Sequence, residues 1–211
     1  MLIPDASTIG VTPYAHENGI GDPMKKSLLL SALAALLLCT PTVQAKDSLV
    51  ENGRGVRTKM IIGAMYDLSL MVPSALQGSE APQLIGSDDP MELVLTIKSK
   101  LINRKRFVHA TSGGFAKAAK SGYTSDKTDA FLKQFDDTVF RKGDIIRMSY
   151  GSKGLTTTYQ TKETADDRSV TFTSEKLGTI KGLDLKKALF AIWLGDAPVQ
   201  ASLKKGLLGI Q

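Results

Sequence analysis

Cysteine is all but missing: the 211 residues hold one, Cys39. It lies in a segment with the pattern of a leader, so the body of the chain carries no thiol chemistry, no Cys metal site and no disulfide framework. Histidine is nearly as scarce. His16 also lies upstream, and His109 by itself makes neither a zinc site nor a Ser-His pair. Without a base, the many Ser and Thr hydroxyls stay unactivated. The apolar run Ser27 to Leu38 falls short of the ~20 residues a bilayer-spanning helix needs. No internal repeat and no low-complexity tract is visible. These absences point to no cofactor, no metal and no catalytic residue. What remains is one domain of ordinary size that must hold itself by its core.

The leader has three parts. Met24-Lys25-Lys26 is a short basic head, Ser27 to Leu38 an apolar Leu/Ala stretch, and Val43 and Ala45 are small residues where signal peptidase reads. The order predicts a signal peptide over 24–45 with cleavage after Ala45. Residues 1–23 then form an upstream extension that is not native, and the domain is 46–211. Leu38 is too bulky for the lipid-anchor cut that Cys39 would otherwise suggest. The expected location is periplasmic or secreted, with no membrane span in the mature chain.

The net charge is +6, and removing 1–45 leaves 25 basic and 18 acidic residues, or +7. Nucleic acid is the reflex partner for such a balance. The charges are scattered, however, with acids among them, so a solvated surface with a modest pull on anions is expected and no nucleic acid. Oligomeric state is not legible.

Asn52 to Pro73 organises the rest. From Val56 to Val72 the even positions are apolar apart from Thr58, with Met60, Ile62, Ala64, Tyr66, Leu68 and Leu70 between them. A period of two means extended chain with one face on a core. The run is long for one strand. Either one long bent strand or two strands meeting near Gly63 is expected, since a bulge or bend is cheap there. Farther on, Glu92–Lys98 reads as a strand and 100–120 as helical stretches interrupted by Gly113-Gly114. A helix over Asp126–Phe135 would be capped by Thr124 or Ser125. Gly151-Ser152-Lys153-Gly154 joins two strands as a hairpin, and Val170–Ser174 is another strand. Leu185, Ala188, Leu189, Ile192 and Trp193 make one apolar helical stripe, with Asp184 at its cap and Gly195 at its end. A last helix starts at Pro198. Strands early and in the middle, with helices between and at the end, give an α+β fold: an antiparallel sheet with helices on one face.

Most motifs dissolve on inspection. Gly53-Arg54-Gly55 lacks the third glycine of a dinucleotide fingerprint and leads into a strand rather than out of one. Gly-Ser-Lys-Gly at 151–154 has no helix behind it to hold a phosphate. Asp136-Asp137 and Asp166-Asp167 suit helix ends and turns better than an acid/base pair. Arg57 is different, because its strand neighbours want burial. A buried Arg is rare unless paired, and its fork fits a carboxylate. An edge Arg in solvent, or one paired with an internal Asp, fits the sequence equally well.

The chain resembles the bacterial chalcone-isomerase-like proteins. The resemblance rests on Asn52-Gly-Arg-Gly-Val-Arg-Thr-Lys, on Lys142-Gly-Asp-Ile-Ile, and on Leu177 to Gly209, and covers nearly all of 50–209. It implies an open-faced β-sandwich, a large antiparallel sheet with a helical layer and a ligand cleft between them. Plant enzymes of that superfamily close a flavanone ring, while relatives without isomerase activity bind fatty acids. The shared Arg of the Gly-x-Gly-x-Arg pattern falls on Arg57. Tyr66 falls where fatty-acid binders use a Tyr to help hold the carboxylate. The enzymes' Tyr and Asn on a helix fall on Phe107 and Gly114, and their late Thr on Ile192. These departures argue against ring closure. The resemblance therefore implies a non-catalytic domain that binds a fatty acid or similar amphipathic carboxylate through Arg57 and Tyr66. An isomerase or lyase on another substrate, and an envelope interaction protein with a vestigial cleft, stay open as alternatives. One difficulty is physical: nine residues of straight strand, at about 3.3 Å each, would hold Arg57 and Tyr66 roughly 30 Å apart on opposite faces. They meet one ligand only if the chain folds back or bulges near Ile61–Gly63.

Overall fold

Six antiparallel strands in sequence order form one sheet in the computed structural model, which describes residues 48–210. The expected upstream extension 1–23 and signal peptide 24–45 lie outside the described residues. The strands are β1 (Val50–Lys59), β2 (Gly63–Val72), β3 (Met91–Ile97), β4 (Ile145–Gly151), β5 (Gly154–Thr164) and β6 (Val170–Ile180). Among the described residues five α-helices accompany them: α1 (Ala81–Gly86), α2 (Arg104–Lys120), α3 (Thr128–Lys133), α4 (Leu183–Leu194) and α5 (Ala201–Leu207). This is the α+β fold that the patterning predicts, an antiparallel sheet with helices, in the open-faced form that the resemblance implies.

The long alternating run is two strands, not one. Met60, Ile61 and Ile62 turn the chain back, with Ile62 N donating to Lys59 O at 3.1 Å. Beyond the turn the even positions face inward as expected, and Leu68, Leu70 and Val72 are fully buried. In β1 the parity is the opposite of that expected. Val56 is exposed, while Gly53, Gly55 and Arg57 face the helical layer, and Met60 and Ile62 lie exposed in the turn beyond it. The reversal at residues 60–62 and an extra residue in β2, between the Arg57–Tyr66 and Thr58–Ala64 pairs, change which face each position takes.

The hairpin at 151–154 forms where its turn residues place it, pairing Tyr150 with Leu155. β6 runs on to Ile180, past the Ser174 expected, because β5 is long enough to pair with it throughout. α2 is one helix straight through Gly113-Gly114. Helical glycine costs about 1 kcal/mol, but a Cβ at Gly114 would lie 2.8 Å from Ile192 Cγ2. The missing side chain lets α2 and α4 approach. α3 starts later than its expected cap because Ser125 is engaged elsewhere. Its hydroxyl donates to Asp184 Oδ2 at 2.5 Å, and Lys127 Nζ joins the same carboxylate at 2.7 Å. Asp184 sits in the first turn of α4 rather than at its cap, which is Gly182 at φ +117°. The last helix begins at Ala201, with Gln200 in extended backbone just before it, so Pro198 precedes it instead of opening it.

Lys186, on α4, is fully buried. Its ammonium donates to the carbonyls of Leu84, Ile85 and Ser87 at 2.6, 3.1 and 2.8 Å, closing the end of α1. It also sits 4.9 Å from the Phe190 ring centroid. Burial foremost, and Lys187 beside it, lower its pKa from 10.5 to about 8. Tyr150, which donates to Asp88 next to this cluster, is raised by burial and by that carboxylate to about 12. The signs oppose each other. From pH 8 to 10 the unfolded chain holds the Lys186 proton that the folded chain has released, so this lysine makes stability rise with pH. Above pH 10 unfolded tyrosine ionises while folded Tyr150 does not, so stability falls. Urea midpoints across pH 7–11 should therefore pass through a maximum near 10, and Lys186→Met should remove the rising limb. A rising limb that persists in the variant would assign it to other groups.

Candidate functional site

Arg57 and Tyr66 are direct partners across the β1–β2 ladder. Their Cβ atoms are therefore about 5 Å apart on one face, because the chain folds back between them. The parity objection disappears with the same turn. Both side chains line a cleft of about 350 Å³ between the hairpin and α2. Met65, Ile102, Phe107 and Val199 supply its apolar wall, and Arg57, Lys59 and Arg106 its charge, with His109 and Ala110 completing the rim. No acidic side chain among the described residues lines it. An adjoining hollow of about 210 Å³ shares His109, Ala110 and Val199 and continues along α2 to Gly114 and Ile192.

Arg57 lies on the edge strand β1, and among the described residues no carboxylate pairs with it. It is half-buried. Its Nη1 donates to Gln200 Oε1 at 2.7 Å and to Thr58 O at 2.5 Å. Gln200 Oε1 also accepts from Thr58 N at 3.0 Å. A neutral amide thus orients the guanidinium without cancelling its charge, and its remaining N–H groups have no partner among the described residues. Tyr66 is held the same way. Its hydroxyl accepts from Trp193 Nε1 at 2.9 Å, which leaves its own proton to donate. Burial raises the phenol above its ordinary pKa, by more than the Trp193 bond and the Arg57 charge lower it. At neutral pH Tyr66 is therefore a phenol, a hydrogen-bond donor rather than an anion.

The glycines ahead of Arg57 explain how α5 reaches this site. A Cβ at Gly53 would lie 2.2 Å from Gly206 O, and one at Gly55 2.8 Å from a Leu203 methyl. α5 thus lies directly on the β1 backbone. Asn52 fastens it, donating to Leu207 O at 2.7 Å and accepting from Gly78 N at 2.8 Å. The Asn-Gly-Arg-Gly stretch is a seat for α5, which sets Gln200 against Arg57.

Four residues escaped the reading of the sequence. Lys59 had a signal, two residues from Arg57 on the same strand. Arg106 is next to Phe107, already placed on the helix wall. Trp193 was recognised only as part of an apolar stripe, and nothing marked Gln200. Phe107, Gly114 and Ile192 do line the cleft and its extension. Phe107 also packs on Phe135 and Phe140, at 4.8 and 5.1 Å between ring centroids.

The chalcone isomerase-like family matches residues 36–209, most of the chain, and the protein belongs to it. Among solved structures, a fatty-acid binding protein of Arabidopsis thaliana is similar, with a TM-score of 0.53 at 17% identity over 77% of this chain and 87% of that one. That likeness is one of fold. No curated protein matches the chain.

Proposed function

We propose that this protein is a non-catalytic member of its family that binds a fatty acid or a similar amphipathic carboxylate, with the carboxylate held between Arg57 and Tyr66. One observation carries the reading. Two oriented donors, a guanidinium with no acid partner among the described residues and a phenol with a free proton, share a face of an apolar cleft lined by two further cations. Charged hydrogen bonds would hold the head, and the hollow toward Gly114 and Ile192 would take part of the chain. The similarity to a protein described as fatty-acid binding supports the same class of ligand. The apolar Phe107, Gly114 and Ile192 favour binding over ring closure, because no phenol or amide stands there to position a phenolate. Titration with a long-chain acid against its methyl ester tests the reading. Equal affinity for the two would sink it.

The leader pattern supports a periplasmic or secreted location. N-terminal sequencing of envelope-fraction protein should begin at Lys46. Intact residues 1–45 on protein recovered from the cytoplasm would overturn that assignment.

A further inference from the structure

The turn between β1 and β2 is built from residues that a soluble surface avoids. Met60 is 92% exposed and Ile61 fully so, with Ile62 47% and Leu101 43% exposed. Ile61 also adopts φ +73°, a left-handed conformation that a β-branched residue rarely takes and that Gly or Asn would take freely. The fold therefore tolerates local strain to keep an apolar side chain at the tip, as strained positions at functional sites do.

The tip has neighbours of one charge. Lys98 N and Ser99 N both donate to Met65 O, at 2.9 and 3.1 Å, so the segment that continues to Lys100, Leu101 and α2 is fastened to the base of the hairpin. Lys59 and Arg106 both line the cleft. From Val56 to Tyr66 and from Lys98 to Ala110 the sequence contains no acid. Lys98 is neutralised by Asp67 and Arg104 by Asp136. Lys59, Lys100, Lys105 and Arg106 make no ion pair among the described residues.

We propose that this edge docks on anionic phospholipid bilayers, with Met60, Ile61, Ile62 and Leu101 entering the interface and Lys59, Lys100, Lys105 and Arg106 meeting the headgroups. Exposed apolar side chains ringed by unpaired cations are what interfacial binding uses. Lysine and arginine stems add apolar contact while their heads stay in the headgroup layer. A bare apolar tip would fit a second copy or a protein as well; the four neighbouring cations without an ion pair among the described residues select the anionic bilayer. The mouth of the Arg57 cleft would then open at the lipid surface. Docking does not depend on what the cleft holds, so vesicle binding is decided separately from carboxylate binding.

The test uses the full chain carrying Cys39→Ser and Met60→Cys, labelled with an environment-sensitive dye. Vesicles of mixed phosphatidylcholine and phosphatidylglycerol should shift the dye to the blue and expose it to lipid-borne quenchers. Pure phosphatidylcholine should do so much less, and added salt should weaken the effect. In the dye-labelled chain, Ile61→Asp should lower partitioning about tenfold or more, and Lys100→Gln and Lys105→Gln about fivefold each. Ile61→Asn should weaken partitioning while leaving the urea midpoint unchanged or higher, because Asn relieves the strained turn. Three results would overturn the proposal. The dye stays in water while the protein sediments with vesicles. The dye is shielded without vesicles in step with dimerisation, which would make the tip a contact between copies. Ile61→Asn loses stability along with binding, which would make the tip part of the fold.

Discussion

Arg57→Ala is expected to weaken binding of a long-chain acid by about ten- to a hundredfold, the equivalent of a charged hydrogen bond worth roughly 1.5–3 kcal/mol. The methyl ester and the alcohol should lose little, because their affinity comes from the chain at about 0.8 kcal/mol per buried CH₂. Stability without ligand should fall by only about 1 kcal/mol, for a local reason. Arg57 pairs with the neutral Gln200 amide, and Gln200 Oε1 keeps its bond from Thr58 N when the guanidinium is gone. No buried carboxylate among the described residues is stranded, the usual cause of large losses when an ion pair is broken. Tyr66→Phe should act in the same direction and more weakly, since it removes one neutral donor and leaves the Trp193 N–H without its acceptor. Acid titrations and urea midpoints on wild type and both variants separate the possibilities. A loss of several kcal/mol in the unliganded protein, with no acid-selective loss of affinity, would make Arg57 part of the scaffold.

Gly53→Ala is expected to be strongly damaging for so conservative a change, costing roughly 3 kcal/mol as an overpacked contact. The added Cβ would sit 2.2 Å from Gly206 O and 2.8 Å from Gly209 N. These are backbone atoms that no rotamer change moves aside. Outward movement of the strand is limited as well, because it is paired with β2 on both sides of the irregularity at Asn52. α5 must lift, which uncovers Leu203 and Leu207 and draws Gln200 away from Arg57. The variant should therefore lose stability and acid selectivity together, where Arg57→Ala loses selectivity alone. Urea midpoints, with hydrogen exchange along α5, measure both parts. A Gly53→Ala protein of wild-type midpoint would mean that α5 does not rest on β1 as described.

These two experiments follow different kinds of information. The fold class was legible because local patterns carry it. Period two in Leu68, Leu70 and Val72, a period near 3.6 in Leu185, Leu189 and Ile192, and turn residues at 151–154 are each set by neighbours a few residues away. Arg57 stood out for the same reason, a charge among residues that want burial. Its meaning did not, because a strand pattern tells which residues share a face only within one strand. The turn at 60–62 reversed the parity of β1 and brought Arg57 opposite Tyr66, and a one-residue difference in register would have parted them. Gly53 and Gly55 looked like a failed nucleotide motif. Only the position of α5, some 150 residues later in the chain, shows that they make room for a helix. Gln200 and Trp193 lie 143 and 127 residues from the side chains they hold, and no local pattern encodes such pairs. The sequence by itself determined an antiparallel sheet with helices on one face and a suspect arginine at its start, since periodicity and turn chemistry act locally. Tertiary structure alone decided that the arginine faces a tyrosine in a cleft that no acid among the described residues lines, since that required chain reversal and the docking of elements far apart in sequence.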